Sequence, residues 1–333
     1  MKIILIVTFL LLKVNCFSQS EIFFIPINNE FNLFVNENSK LTKINKIEYP
    51  ITELYSIENN RFVIINKDST QFIFGEYKSM NLEIKIIENL PKLFKPKSMK
   101  LDNNFIFIGG NWSSGDYFII YDIKKRELNQ IKIPEKVYFL GKAIDDFLVL
   151  NDKVIAVDNL TMPKYLLTYN KKELPKLETV EIFHLKSNGT YEEINKGEIN
   201  ENYLVLLSGT SGGYSNSTAN HITVLKSQDF DKGFSVSNRL KIDSDWNDIL
   251  LMKDKIYIAG KQNGLGVLKI KEHFFKKKIN RNNGTYFNNK IGKWRISYSE
   301  KTSDHLVKLI KFDDDRIILI YKSREGNYSY KLR

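Results

Sequence analysis

Residues 51–88 read ITELYSIENNRFVIINKDSTQFIFGEYKSMNLEIKIIE. Short runs of β-formers alternate with polar breaks. Ile51–Ile57 is followed by Glu58-Asn59-Asn60, and Arg61–Ile65 by Asn66-Lys67-Asp68-Ser69. Thr70–Phe74 and Leu82–Ile87 complete the set. Such runs bounded by Asn, Asp, Gly and Ser read as strands joined by tight hairpins, because Asn and Asp tolerate the positive φ these turns need. Four strands in roughly 40 residues is the size of one propeller blade.

The unit recurs along the chain. Second strands are expected to start at 62, 105, 147, 203, 256 and 317, each after a polar hairpin: Asn59-Asn60, Asn103-Asn104, Asp145-Asp146, Glu201-Asn202, Asp254-Lys255 and Asp314-Asp315. Their recurrence makes the acidic pairs turns rather than catalytic carboxylates. An earlier copy begins at Ile22, with runs Ile22–Ile27, Phe31–Val35 and Leu41–Ile47. Prolines 50, 96, 134 and 175 are expected ahead of first strands, since proline lacks the ladder donor. Extra hairpins are expected around Ser187-Asn188-Gly189 and Asn282-Asn283-Gly284, and Glu272–Ile279 is the best helix candidate. Short turns between successive strands argue against a βαβ fold. The fold expected is all-β: a β-propeller of six or seven four-stranded antiparallel blades, seven being favoured. Closure into a ring would cover the sheet faces and edges. The strand-like Tyr328–Leu332 is expected to pair with the N-terminal strands to shut it.

The first segment stands apart. Lys2 precedes an apolar core, Ile3–Leu12, of signal-peptide length and too short to span a bilayer. Cys16 and Ser18, two apart, suit a signal peptidase, so cleavage near Ser18 would leave Gln19 at the new N-terminus. Residues 1–18 are therefore read as a signal peptide and 19–333 as a single propeller domain, secreted or periplasmic. A lipoprotein through Cys16 is the lesser alternative, because Lys13 and Asn15 fit a lipobox poorly. The 333-residue chain carries 50 basic and 39 acidic residues, a net +11. Removing Lys2 and Lys13 lowers this by two to +9, and removes the one cysteine, which suits an oxidising compartment. No second long apolar run follows, so no transmembrane segment is expected after cleavage.

Phe105-Ile106-Phe107-Ile108-Gly109-Gly110, then Tyr117 and Ile119-Ile120-Tyr121-Asp122, resembles a kelch repeat: a double glycine after a hydrophobic strand, then an aromatic. The expected downstream Trp is missing, with Leu128 near its place. Ile256–Gly260 with Gly264 and Gly266, and Leu204–Gly209 with Gly212-Gly213, echo it. The chain thus resembles exported bacterial β-propellers with kelch-like repeats over about three copies. The resemblance implies the fold and no activity. Ser187–Tyr191 and Asn282–Tyr286 echo a sialidase Asp-box but lack its Asp and its spacing.

Catalytic constellations do not emerge. Histidines 184, 221, 273 and 305 share no metal spacing, no Gly-x-Ser-x-Gly elbow occurs, and the glycines of Ser208–Gly213 lack the lysine of a P-loop. No cofactor is expected. The lysine clusters at 92–100 and 276–278 read as solvated charge, and export argues against a nucleic-acid partner. Binding chemistry is expected in the loops 110–116, 208–219 and 261–264. There Asn111, Trp112 and Asp116 are expected to share a shallow site with Tyr214 and Gln262. Gly109-Gly110 should turn the chain so that Trp112 falls in a polar loop. The function read from these residues is a monomeric, non-catalytic binding or scaffold protein for a protein or glycan ligand. The alternative is a glycan-active hydrolase or lyase, which would need facing carboxylates at the centre of the ring.

Overall fold

Asn59 and Asn103 sit at φ 56° and 50°, and Lys253 at 54°. Each holds the left-handed turn that lets one strand fold back on the next. In the computed structural model these hairpins connect strands in chain order. The structure describes residues 21–27, 30–37, 40–46, 51–66, 68–78, 81–112, 117–134, 144–150, 152–158, 164–185, 192–210, 220–226, 237–242, 248–260, 263–271, 287–288, 296–299 and 303–333. Among them there is no α-helix, only a 3-10 turn at Lys171–Glu173.

The first sheet is β1 (Glu21–Ile27), β2 (Glu30–Glu37) and β3 (Lys40–Lys46). The second is β4 (Ile51–Glu58), β5 (Arg61–Asn66), β6 (Gln71–Lys78) and β7 (Asn81–Asn89). The third is β8 (Phe94–Asp102), β9 (Phe105–Trp112), β10 (Tyr117–Asp122) and β11 (Glu127–Lys132). The fourth is β12 (Ile144–Val149), β13 (Lys153–Asp158), β14 (Lys164–Asn170) and β15 (Val180–Leu185). The fifth holds β16 (Glu192–Ile199), β17 (Tyr203–Thr210), β18 (Asn220–Lys226) and β19 (Ser237–Ile242). The sixth begins with β20 (Asp248–Met252), β21 (Lys255–Ala259) and β22 (Leu265–Lys269). Of the next two strands, β23 (Phe287–Asn288) runs parallel to β19, and β24 (Ser297–Ser299) pairs with β22. The last sheet is β25 (His305–Lys311), β26 (Ile317–Lys322) and β27 (Tyr328–Leu332). All pairings except β19–β23 are antiparallel.

Strands such as Phe62–Ile65 and Ile106–Ile108 are apolar on both faces because each sheet is covered on both sides. Phe24 meets Phe62 edge-on at 5.4 Å, Phe72 meets Tyr121 at 4.9 Å and Phe118 meets Tyr169 at 5.5 Å. These contacts join the first sheet to the second, the second to the third and the third to the fourth. Leu148 and Ile155 share a buried cluster with Leu204 and Leu206, Val205 shares another with Ile256, and Ala259 a third with Leu319, carrying the pattern to the last sheet. Phe23, Ile25 and Phe34 of the first sheet then pack with Ile318 and Ile320 of the last, and Phe34 meets Tyr330 at 5.1 Å. The fully buried side chains among these each contribute about 1.5–3 kcal/mol; Tyr330 is 38% exposed and contributes less.

Several expectations are corrected. Asp145 and Asp146 are not a turn. They lie inside β12, the first strand of its sheet, and the second strand starts at Lys153 rather than 147. The polar pair interrupts an apolar run because these residues face neighbouring first strands. The region 176–194 is no added hairpin, since Val180–Leu185 is the fourth strand of one sheet and Glu192 opens the next. Tyr328–Leu332 pairs with β26, not with the N-terminal strands, and reaches the first sheet by side-chain packing alone. Pro96 sits within β8, beside a bulge that lets the ladder skip a residue. Gly109-Gly110 continues β9 instead of turning, and Trp112 is its last residue, paired with Phe94. Residues 1–20, the candidate helix 272–279 and the turns at 187–189 and 282–284 lie outside the described residues.

Candidate functional site

Of the five residues expected to share a loop site, Asn111 and Trp112 end β9. Asn111 Oδ1 is buried without a hydrogen-bond partner among the described residues. Asp116, Tyr214 and Gln262 lie outside those residues, so their grouping rests on the sequence.

A different constellation is fully described. From the second sheet to the last, the first strands β4, β8, β12, β16, β20 and β25 lie in a row, each against the next. One position on this row is polar in five of them: Ser98, Asp146, Lys196, Asp248 and Lys308. Ser98 pairs with Gly109, Asp146 with Val157, Lys196 with Leu207 and Asp248 with Ala259, each eleven positions on, and Lys308 pairs with Ile320. A bulge precedes the residue in β8, β12, β16 and β25. Bulges re-aim the side chain that follows them.

Each of these side chains reaches another sheet. Ser98 Oγ donates to the Ile144 carbonyl at 3.2 Å. Asp146 Oδ2 accepts the Gly197 N–H at 3.1 Å, while Oδ1 accepts the Phe147 N–H at 2.8 Å. Lys196 Nζ donates to Asp248 Oδ1 at 2.5 Å and to the Ile249 carbonyl at 3.0 Å. Asp248 Oδ2 accepts the Leu309 N–H at 2.8 Å. Lys308 Nζ donates to the Tyr55 hydroxyl at 2.7 Å and lies 4.2 Å from its ring centre.

Charge on this row is set by its surroundings. Loss of hydration pushes the Asp146 carboxyl up to about 6, against the opposing pull of the Gly197 N–H, Lys100, Lys196 and the Phe147 N–H. Burial works against the Lys196 ammonium, yet the carboxylates of Asp248 and Glu198 more than offset it and hold its pKa above the ordinary lysine value. Chemically, the row binds sheet to sheet. Both oxygens of Asp146 and both of Asp248 accept hydrogen bonds from the protein itself. Among the described residues, no three His, Cys, Asp or Glu side chains gather as a metal would require.

Beside this row is a cleft of about 380 Å³, within the usual range for ligand sites. It is lined by β1 (Glu21 to Phe24), by Tyr55, Ile57 and Asn59, by Lys100, and by β25 with its continuation to Phe312. Sequence reasoning missed both cleft and row. The available signal was the polar residue eleven positions before its partner at the far end of the second strand.

No protein-family model and no curated protein matches the sequence. Solved structures do resemble the fold. A 6-phosphogluconolactonase-like protein of Bacteroides fragilis NCTC 9343 aligns with TM-score 0.60 and 11% identity over 95% of both chains. A functionally unknown protein of Desulfotomaculum acetoxidans DSM 771 aligns at 0.58 and 9% identity, over 93% of this chain and 95% of the other. YCF48, solved bound to D1 peptide, aligns at 0.52 and 11% identity over 96% of both. These are propeller-type folds, and this chain is a propeller-like, nearly all-β protein.

Proposed function

We propose that the chain is an exported, closed propeller of seven sheets that acts as a non-catalytic binding or scaffold protein for a protein or glycan. The observation that carries the reading is the state of Asp146 and Asp248. A glycosidase needs two carboxylates, about 5–10 Å apart, free to exchange protons with substrate. Both of these are pinned by backbone N–H groups, and Asp248 by Lys196 as well. They hold sheets together. Closure is supported by the packing of Phe34 on Tyr330, which joins the last sheet to the first as the other sheets are joined. Seven sheets then account for seven blades, with kelch-like character confined to the glycine-bearing strands.

Export is supported by the apolar Ile3–Leu12 and by Cys16 and Ser18, with Gln19 as the mature N-terminus and lipidation at Cys16 the lesser route. The partner meets a rigid monomer. Asn111, Trp112, Asp116, Tyr214 and Gln262 are the proposed loop contacts. YCF48 was solved with a peptide bound, so a protein of this general fold can carry one.

The test is to probe the secreted protein against glycan and peptide arrays, with reducing-end release assayed on every glycan retained. Capture without turnover supports the reading. Turnover abolished by Asp146→Asn or Asp248→Asn would replace it with the hydrolase.

A further inference from the structure

Among the described residues the first sheet has no inner strand. Its β1 packs as second strands do elsewhere: Phe24 meets Tyr55 of the next sheet's first strand at 5.5 Å, as Phe107 of β9 meets Phe147 of β12 at 5.7 Å. Likewise Phe34 of β2 meets Tyr330 as Phe118 meets Tyr169. The place ahead of β1 in the inner row, between β25 and β4, is therefore one strand short among the described residues, and the 380 Å³ cleft lies there.

The edge of β1 turned away from β2 carries backbone groups that a further strand could pair, except for an N–H at Pro26; Ile22 and Phe24 themselves are buried. Pro26 pairs with Phe31, and the Ile22 N–H is directed away from β2 to the Asn59 carbonyl at 3.2 Å. Antiparallel alternation then sends the Ile22 carbonyl and the Phe24 N–H and carbonyl the same way. The Phe24 carbonyl accepts the Tyr55 hydroxyl at 3.3 Å. Asn59 and Tyr55 thus stand in for two of the bonds that a neighbouring strand would make.

The row also specifies the charge of what would fit. Lys196 meets Asp248 on the inner strand of the following sheet. Lys308 holds the equivalent position in β25. Among the described residues the first sheet offers it no inner strand, and it reaches past that sheet to Tyr55 in the second. An inner strand supplied there would bring its own residue beside Lys308, where an acid would repeat the Lys196–Asp248 pair. Lys100 and Lys308 line the cleft with Glu21, and so does Lys311, which is itself paired with Asp314 at 2.9 Å.

We infer that the cleft receives an extended acidic peptide segment of a protein partner, added antiparallel to β1 as the missing inner strand, with a carboxylate on Lys308. This rests on the binding reading above and names the class of partner. Main-chain pairing would supply affinity, and the lysines would supply the choice of sequence.

The probe is a fluorescein-labelled, N-acetylated peptide alternating Val and Glu, matched to the seven residues of β1, with anisotropy as the readout on the purified protein. Binding is expected. It should weaken by at least about tenfold with Lys308→Met, or when Lys replaces Glu in the peptide. It should be lost when alternate peptide nitrogens on the pairing edge are methylated, and retained when the opposite set is methylated. Circular dichroism of Lys308→Met checks that the fold is intact, and the peptide variants test the idea on unaltered protein. No binding, or binding indifferent to methylation and charge, overturns the inference. If the array screen still captures a partner, the binding reading stands without it. If every array is also blank, both fall.

Discussion

Lys308 and Tyr55 are 253 positions apart and belong to the last and second sheets, yet their side chains meet at 2.7 Å. The Tyr55 hydroxyl also donates to the Phe24 carbonyl of the first sheet. One phenol thereby links three sheets at the place where the described residues give the first sheet no inner strand. Tyr55→Phe keeps the ring under the ammonium and removes both hydrogen bonds. It should cost about 1–2 kcal/mol in urea unfolding. A double-mutant cycle with Lys308→Met should give a coupling of about 0.5–1 kcal/mol. Additive effects would show that the contact carries no energy.

Lys196 and Asp248 form the strongest link of the row. The Asp248 side chain is only 6% exposed and that of Lys196 29%. Lys196→Met leaves the Asp248 carboxylate with the Leu309 N–H but without its counter-ion. Breaking a buried pair typically costs 3–5 kcal/mol, and the partial exposure of Lys196 lowers the expectation to about 2–3 kcal/mol. Asp248→Asn in the same background should recover part of that loss, because the uncompensated charge is gone. A loss under about 0.5 kcal/mol for Lys196→Met would mean that water already screens the pair.

Asp146 should make stability fall as pH rises. Its carboxyl is pushed from 3.8 up to about 6 in the folded protein. Between those values the native state binds more protons than the unfolded chain, so the unfolding free energy declines through this window and is flat above it. The shift corresponds to about 3 kcal/mol, and incomplete burial reduces this to about 2. Asp146→Asn, which cannot ionise, should lack this component. The stability difference between mutant and parent should therefore move in the mutant's favour from pH 4 to pH 7. Parallel urea curves at the two pH values check this. A difference that stays constant would mean that Asp146 titrates normally.

The hairpins were legible because left-handed turns select their residues: Asn59 and Asn103 stand where the sequence puts them. The first sheet was legible from its spacing, with Ile22–Ile27 matching β1 almost residue for residue. Asp145-Asp146 misled because an acidic pair inside an apolar run has the same composition whether it turns the chain or points into a row of inner strands. Only the bulge between Ile144 and Asp146 separates the two cases, and a bulge has no residue signature. The cleft was illegible for a related reason. It lies where the described residues provide no inner strand, and strand spacing does not show which place in a sheet a strand takes.

Gly109 and Gly110 offer the sharpest test of that lesson. Their pairing suggests a turn, yet neither has a positive φ, and both continue the β8–β9 ladder. Their requirement is space. A Cβ on Gly110 would be driven into the Lys95 backbone carbonyl, and one on Gly109 into the Ile144 carbonyl and Ser98 Oγ. Backbone cannot yield as a flexible side chain does. Gly110→Ala should therefore cost about 2–3 kcal/mol, as overpacking in a close-fitted site does. Gly326, at φ 89° with open space around its α-carbon, would suffer only from conformation when changed to Ala, by about 1 kcal/mol. Urea midpoints for the two variants, taken side by side, decide the matter. If Gly110→Ala proved as mild as Gly326→Ala, the glycines would be a turn after all and β9 would end at Ile108.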